Sequence, residues 1–263
     1  MEGVLSAPAD AAILRVTSLF LSIDGEVNAL GQGTPSFFIR MAGCNLRCWR
    51  AFGGCDTVSS FGPGTPMTVE TLLARVDASG CPKVTLTGGE PLLQRGPALA
   101  ALLRGLHDRG VLVSMETNGS IAPDFDGREH VGSLVYDYKC PSTGCTAAMR
   151  PFAALFGSLG EADFLKFVLR DGADYAFARD RVLETRRLRE ARGNRGPTLA
   201  FSPLMPARTP GMTPPPGKGP EDGPYDVLDA ASLVARVLED RLFEVRINVQ
   251  LHKYIWPDAT TEV

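Results

Sequence analysis

Short apolar, β-branched runs recur along the chain, each bounded by Gly, Pro, Asp or similar breaks: ILRVTSLFLS (13–22), SFFIRMA (36–42), KVTLT (83–87), VLVSM (111–115), SLVYDYK (133–139), FLKFVL (164–169), TLAFS (198–202) and FEVRINV (243–249). Runs of this length and composition predict strands. The segments between them carry a different period. In 95–109, Leu99, Leu102, Leu103 and Leu106 fall at i, i+3, i+4 and i+7, and Gly110 follows, which is an apolar helix face with a C′ glycine behind it. Beyond Asp226 the same spacing returns in Ala230, Leu233, Val234, Val237 and Leu238. Thr68 is placed to N-cap VETLLARVDAS, and 173–191 is long and charged enough for an exposed helix. Strand and helix therefore alternate after about residue 80. That order predicts an α/β fold of βα units on a mostly parallel sheet, with active-site groups at the C-terminal ends of the strands.

Composition narrows the picture. Hydrophobic residues make up 44% of the 263-residue chain and charged residues 22%, ordinary globular values. The net charge of −3 argues against a nucleic-acid partner, which needs a basic face. The N-terminus lacks a basic region ahead of an apolar run, and no stretch approaches the roughly 18 apolar residues of a membrane span. A cytoplasmic protein with no membrane or nucleic-acid partner is the expectation. The stretch 205–226 is rich in Pro and Gly and reads as an extended surface insertion inside a single domain spanning 1–263.

The chemistry concentrates in GCNLRCWRAFGGCDT (43–57), which carries Cys44, Cys48 and Cys55. A structural zinc asks for four protein ligands, and the loop holds three cysteines and no histidine. Three thiolates on a 4Fe–4S cluster instead leave one iron open to a substrate or cofactor. Cys81, Cys140 and Cys145 read as free thiols behaving as small hydrophobes.

The strand ends supply further candidates: TGGEP (87–91), ETNG (116–119), DYKCPSTGC (137–145), SPL (202–204) and QLHK (250–253). Gly88 and Gly89 let backbone approach a ligand closely, with the carboxylate of Glu90 beside them. Glu116 and Asn118 suit a turn or a ligand equally well, Lys139 stands at a strand end beside Asp137, and His252 taken alone is an ordinary structural histidine.

Three loop cysteines followed by Gly-Gly-Glu after the next strand resemble the radical S-adenosylmethionine superfamily. Within it the chain is similar to the 7-carboxy-7-deazaguanine synthases. The pieces that carry the resemblance are LFLSIDGE (19–26), GTPSFFIRMAGCNLRC (33–48), CDT (55–57), TLTGGEPLLQ (85–94), METNGS (115–120), DYKCPSTG (137–144), LKFVLRD (165–171), FSPL (201–204) and VQLHKYIW (249–256). The resemblance implies a reduced, partial (βα)6 barrel, a homodimer, and an electron donor such as flavodoxin or ferredoxin. It also implies the reaction of queuosine and 7-deazapurine biosynthesis, a carbon–nitrogen lyase step. A 5′-deoxyadenosyl radical, formed from S-adenosylmethionine at the reduced cluster, takes a hydrogen from C6 of 6-carboxy-5,6,7,8-tetrahydropterin, and ring contraction with loss of ammonia follows.

By matching position, the resemblance gives Cys44, Cys48 and Cys55 to the 4Fe–4S cluster and Gly88, Gly89 and Glu90 to the methionyl amine. It puts Glu116, Lys139 and Ser202 around the rest of S-adenosylmethionine. Asp24, Glu26, Arg40 and His252 go to the substrate, with the Arg40 fork suited to its carboxylate, and Thr57 to an oxygen-seeking Mg²⁺. No acid or base is assigned, since the radical is generated at the cluster. The chain departs from the pattern in its second cysteine gap, which holds six residues, WRAFGG, where two are usual. Gly53 and Gly54 lend that loop flexibility, and Trp49 and Phe52 stand in for the usual aromatic. Asp24 occupies a position where many members carry Gln, and the 205–226 insertion and the tail beyond Trp256 are additional. A glycyl-radical-enzyme activase, another radical enzyme of deazapurine natural products, and a non-enzymatic cluster or zinc scaffold are the competing readings. SIDGE and QLHK speak against the activase, and Gly-Gly-Glu with the polar strand ends speaks against the scaffold.

Overall fold

The computed structural model describes residues 12–48, 55, 57–191, 193, 195–205 and 228–257. Strands β1 (Ile13–Ile23), β2 (Pro35–Met41), β3 (Thr65–Thr68), β4 (Lys83–Gly88), β5 (Leu112–Thr117), β6 (Ser133–Asp137), β7 (Phe164–Leu169), β8 (Thr198–Pro203) and β9 (Arg246–Ile247) form one sheet in the order β3-β1-β2-β4-β5-β6-β7-β8-β9. From β2 through β9 every neighbouring pair is parallel. β1 runs antiparallel to both β2 and β3. This is a mostly parallel α/β sheet with its ends unjoined, in keeping with a partial barrel.

The helices are α1 (Val69–Ser79), α2 (Pro97–His107), α3 (Phe152–Ser158), α4 (Gly172–Ala191), α5 (Ala230–Glu239) and α6 (Leu251–Ile255). Thr68 caps α1 by accepting from Thr71 N at 3.2 Å, and Gly80, in the left-handed region at φ 64°, ends it. Asp229 caps α5 in the same way through Ser232 N. None of the helices among the described residues is long and apolar enough to cross a membrane.

Strand alternation explains how the sheet divides its two faces. Ile39, Leu86, Met115, Leu134, Phe167 and Phe201 point to one face, where they join Leu99, Leu102 and Leu106 of α2 and Tyr175, Ala178 and Val182 of α4 in the main apolar core. The alternate positions carry Ser36, Lys83, Thr85, Thr87, Ser114, Glu116, Lys166 and Ser202, so the other face is a polar interior row, closed in part by a small apolar cluster of Val27, Val135, Phe164 and Ala200.

Two expectations change. The run 243–249 is a strand only at Arg246–Ile247, and the QLHK segment following it forms α6 instead of a plain strand end. The strict βα rhythm also lapses between β5 and β6, where a single 3₁₀ turn (Arg128–His130) replaces a crossover helix. The short edge strand β3, pairing with Ile13–Val16 of β1, carries Pro66 and lacks strand periodicity. The widened cluster loop with Trp49, Phe52, Gly53 and Gly54, nearly all of the 205–226 insertion, and the tail from 258 onward lie outside the described residues.

Candidate active site

The C-terminal ends of the parallel strands open into one cavity, as open parallel sheets do. Gly88 ends β4 at φ 118°, and its neighbour Gly89 donates from N to the carbonyl of Met41 at 3.0 Å, while Glu90 N donates to the carbonyl of Gly43 at 2.8 Å. A Cβ at Gly89 would run into the Gly43 carbonyl. The Gly-Gly turn is therefore fastened to the cysteine loop, its backbone bare of side chains on the cavity side. Both glycines line that cavity together with Cys44, Cys48, Cys55 and Thr57.

Glu90 lies behind this surface. It is wholly buried, and its carboxylate accepts from Thr117 Oγ1, from Asn118 N at 2.6 Å and from Leu92 N at 2.8 Å. Burial pushes its carboxyl up against the pull of those donors. Its visible work is to hold the ends of β4 and β5 together. Asn118, so positioned, donates from Nδ2 to Cys44 Sγ at 3.5 Å.

Thr57 Oγ1 lies 3.6 Å from Cys55 Sγ, and although Thr57 precedes the 3₁₀ turn Val58–Phe61, its hydroxyl does not cap it. The Cys48 thiol is lowered by its hydrogen bond with Cys55 and by the charge of Lys139, against the opposing effect of burial. Burial raises the Cys44 thiol despite the Asn118 amide. Among the described residues no group of His, Cys, Asp or Glu is disposed to hold a single metal ion. A cube of four irons spreads its thiolates over separate corners, so three thiols ringing one cavity, beside an amide donor and a lysine, fit that group in donor chemistry.

The cavity wall opposite is a chain of charges. Glu26 accepts from Lys166 Nζ at 3.0 Å and from Asn248 Nδ2 at 2.5 Å on Oε2, and from Gln250 Nε2 on Oε1. Burial pushes the Glu26 carboxyl up, but Lys166, the Gln250 amide and His252 together hold it below its ordinary value. Glu116 accepts from Thr87 Oγ1 at 2.8 Å and is pushed up to about 7, first by burial and then by the neighbouring carboxylates of Glu26 and Asp24, with Lys166 opposing. Lys139 pairs with Asp137 at 2.9 Å. Asp137 Oδ1 is buried with no hydrogen-bond partner among the described residues and borders the cavity. Arg40, projecting from β2, lies over the Phe20 ring at 5.3 Å and lines the cavity with His252. Gly25 leaves room for His252, whose imidazole packs against it.

Of the residues singled out in the sequence, the cavity thus gathers Cys44, Cys48, Cys55, Thr57, Gly88, Gly89, Glu116, Lys139, Glu26, Arg40 and His252. Three are set back from it. Glu90 is described above. Ser202 is buried and accepts from Asn248 Nδ2 at 3.3 Å, two bonds removed from the Glu26 carboxylate. Asp24 is buried at 1% exposure below the cavity, where its carboxylate takes Lys83 Nζ at 2.9 Å, Thr85 Oγ1 at 3.0 Å and Ser114 Oγ at 3.1 Å. This places Asp24 in a structural ion pair and not among the cavity-lining groups. Sequence reasoning missed Lys166 and Asn248, and quoted Gln250 only within QLHK without giving it a role. Lys166 was visible as one long cation inside the apolar run FLKFVL; Asn248 gave no signal beyond preceding the QLHK segment.

A cavity that combines three loop thiols with a bare Gly-Gly turn on a parallel sheet defines the class: an iron–sulfur enzyme that takes S-adenosylmethionine. Residues 29–135 match the family model of the 4Fe-4S single cluster domain. The chain is 33% identical to the 7-carboxy-7-deazaguanine synthase of Koribacter versatilis, over 95% of this chain and 100% of that one, and 34% identical to that of Chlorobaculum tepidum, over 94% and 97%. The Clostridium acetobutylicum synthase is 30% identical over 92% and 96%. A more distant likeness is to the crystal structure of QueE from Escherichia coli, with 15% identity and a TM-score of 0.45 over 90% of this chain and 94% of that one. The chain belongs to the 7-carboxy-7-deazaguanine synthase family, a radical enzyme whose cofactors are a 4Fe–4S cluster and S-adenosylmethionine.

Proposed function

We propose that this chain converts 6-carboxy-5,6,7,8-tetrahydropterin to 7-carboxy-7-deazaguanine in one cavity, with the roles divided by strand end. The observation that carries the reading is the meeting of the Cys44, Cys48 and Cys55 thiols, the Gly88–Gly89 turn and the Arg40–Glu26–His252 group around a single space in a member of this family. Cys44, Cys48 and Cys55 hold the cluster. Gly88 and Gly89 present backbone to the methionyl end of S-adenosylmethionine, with Glu90 fixing the turn from behind. Glu116 and Lys139 face the remainder of that cofactor, and Ser202, set back from the cavity, bears on it only through Asn248 and the Glu26 carboxylate.

Held by Cys44, Cys48 and Cys55 and by the Gly88–Gly89 turn, the cluster and S-adenosylmethionine would supply homolytic removal of the hydrogen at C6 and its return after ring contraction and loss of ammonia, since the substrate less ammonia already has the composition of the product. The protein's part is to orient and enclose. Arg40 offers two parallel N–H groups to the substrate carboxylate. Glu26, held ionised by Lys166, accepts from the N–H edge of the heterocycle, and His252 closes the same side. Glu116, whose carboxyl titrates near neutrality, holds a proton or releases it at Oε1, the oxygen not engaged by Thr87. Asp24 supports the substrate end from beneath, through Thr85, Ser114 and Lys83. Thr57, with a hydroxyl not spent on capping, takes Mg²⁺ next to the cluster loop.

The working unit in this reading is a single domain spanning 1–263, with 205–226 as an insertion, in a cytoplasmic homodimer reduced by flavodoxin or ferredoxin. The half of β1 beyond Val16 has no strand on its outer side among the described residues, and Leu21 there is 57% exposed, which supports pairing with a second copy. The test is turnover: anaerobically reconstituted protein, given reductant, S-adenosylmethionine and the carboxytetrahydropterin, is expected to form carboxydeazaguanine and ammonia in equal amounts. Deoxyadenosine without deazaguanine would overturn the substrate assignment.

A further inference from the structure

The chain carries net charge −3, yet the surface behind the cysteine loop is cationic. Arg15, Arg47 and Arg95 are all exposed there. Bonds through the backbone make the three contiguous. Gln94, next to Arg95, donates to the carbonyls of Arg15 at 2.8 Å and Ala42 at 3.1 Å, and Arg15 Nη1 donates to the Pro63 carbonyl at 3.2 Å. Gly43 N in turn donates to the Ser60 carbonyl at 2.7 Å. Arg47 is fixed against the loop itself: Nη1 donates to the carbonyls of Cys44 at 2.6 Å and Leu46 at 2.8 Å, and the guanidinium lies 4.9 Å from the centre of the Phe61 ring.

Between these cations Leu93 is 44% exposed, its methyl close to Gly43, and Val58 is 37% exposed. Among the described residues of 13–18, 41–48, 55, 57–68 and 89–97 the one carboxylate is Glu90, which is wholly buried; Asp56 lies outside the described residues. Solvent-facing cations without a matching anion among these described residues, around an apolar spot, form a surface that attracts and orients an acidic partner. The placement names the partner's task, because the backbone of Cys44 lies directly beneath Arg47.

We propose that this face, centred on Leu93 and rimmed by Arg15, Arg47 and Arg95, docks an acidic one-electron carrier protein that reduces the cluster. The proposal rests on the reading of Cys44, Cys48 and Cys55 as cluster ligands. In the step, the carrier loses one electron and the cluster gains it; no atom or proton is transferred.

The experiment compares holoenzyme and its Arg95→Glu and Arg47→Glu variants, with iron content measured first. Reduction of the cluster by an acidic flavodoxin is followed in a stopped-flow spectrometer against ionic strength, and turnover is measured with dithionite in place of the protein donor. Expected for each variant are a full cluster, unchanged dithionite turnover, a flavodoxin reduction rate lowered about tenfold at low salt, and a shallower salt dependence. Variants reduced by flavodoxin as fast as wild type would overturn the docking face. A wild-type protein that fails to take up a cluster would instead refute the ligand reading. Should Arg47→Glu alone lose iron through disturbance of the Cys44 carbonyl, Arg95→Glu, which touches no cluster ligand, decides the matter.

Discussion

Glu116 shows how a single residue's surroundings become a property that can be titrated. It sits at the end of β5 with Glu26 and Asp24 as like-charged neighbours and Lys166 as the opposing cation, and burial raises its carboxyl from 4.5 to about 7. Between those two pH values the folded chain binds more protons at this site than the unfolded chain does. By linkage, stability therefore falls as pH rises from about 4.5 to about 7. Glu26 works in the other direction, since its lowered carboxyl stabilises above its unfolded value and loses that contribution as pH falls through its folded one. The two windows do not coincide. Glu116→Gln is expected to flatten the decline in melting temperature over pH 4.5 to 7, and a variant whose melting temperature falls in parallel with wild type would contradict the assignment. Glu116 was legible in the sequence as a polar strand-end residue, whereas its raised proton affinity depends on its burial and on the balance of Lys166 against Glu26 and Asp24, which come from two distant stretches of chain.

At the scale of elements, the segment after β1 is joined to the sheet by two buried ion pairs, Asp24–Lys83 on β4 and Glu26–Lys166 on β7. Asp24 and Lys83 are 2.9 Å apart with side chains 1% and 4% exposed, and Thr85 and Ser114 complete the acceptor's coordination from β4 and β5. Removing one partner of such a pair leaves an uncompensated buried charge, at a cost of about 3–5 kcal/mol. Lys83→Met is expected to lose about that much in urea denaturation, and Lys83→Met combined with Asp24→Asn to recover part of it. A double variant that loses the sum of the two single-variant losses would show that the pair is not coupled. The strand runs themselves were plain from period and flanking residues, and α1 from Thr68 to Gly80 follows its capping signals residue for residue. Position 24 was not: a polar residue next to a matching family segment looks the same in sequence whether it faces a ligand or a lysine. The β9–α6 region misled for a related reason, because INVQLH continues an apolar alternation past the point where only Arg246 and Ile247 pair with β8.

For the whole molecule, the parallel order of β2 through β9 turns scattered motifs into one site. Strands β2, β4, β5, β6 and β7 contribute residues from their C-terminal halves, and the spacing of cysteines that suits no ordinary zinc site becomes intelligible once Gly88, Gly89 and Asn118 stand beside the thiols. The motif set and the α/β class were readable from the chain alone. The polar inner row of the sheet was not, since alternating Ser, Thr and Lys within apolar runs look like solvent-facing positions until the sheet is seen to enclose them. The central claim, that Cys44, Cys48 and Cys55 hold a cluster at these strand ends, is tested most directly by iron and sulfide content after anaerobic reconstitution. About four irons and four sulfides per chain are expected in wild type and in a Cys81→Ala control, whose thiol lies in the apolar core, with most of both lost in Cys44→Ala, Cys48→Ala and Cys55→Ala. A Cys55→Ala protein that retains the full cluster would contradict it.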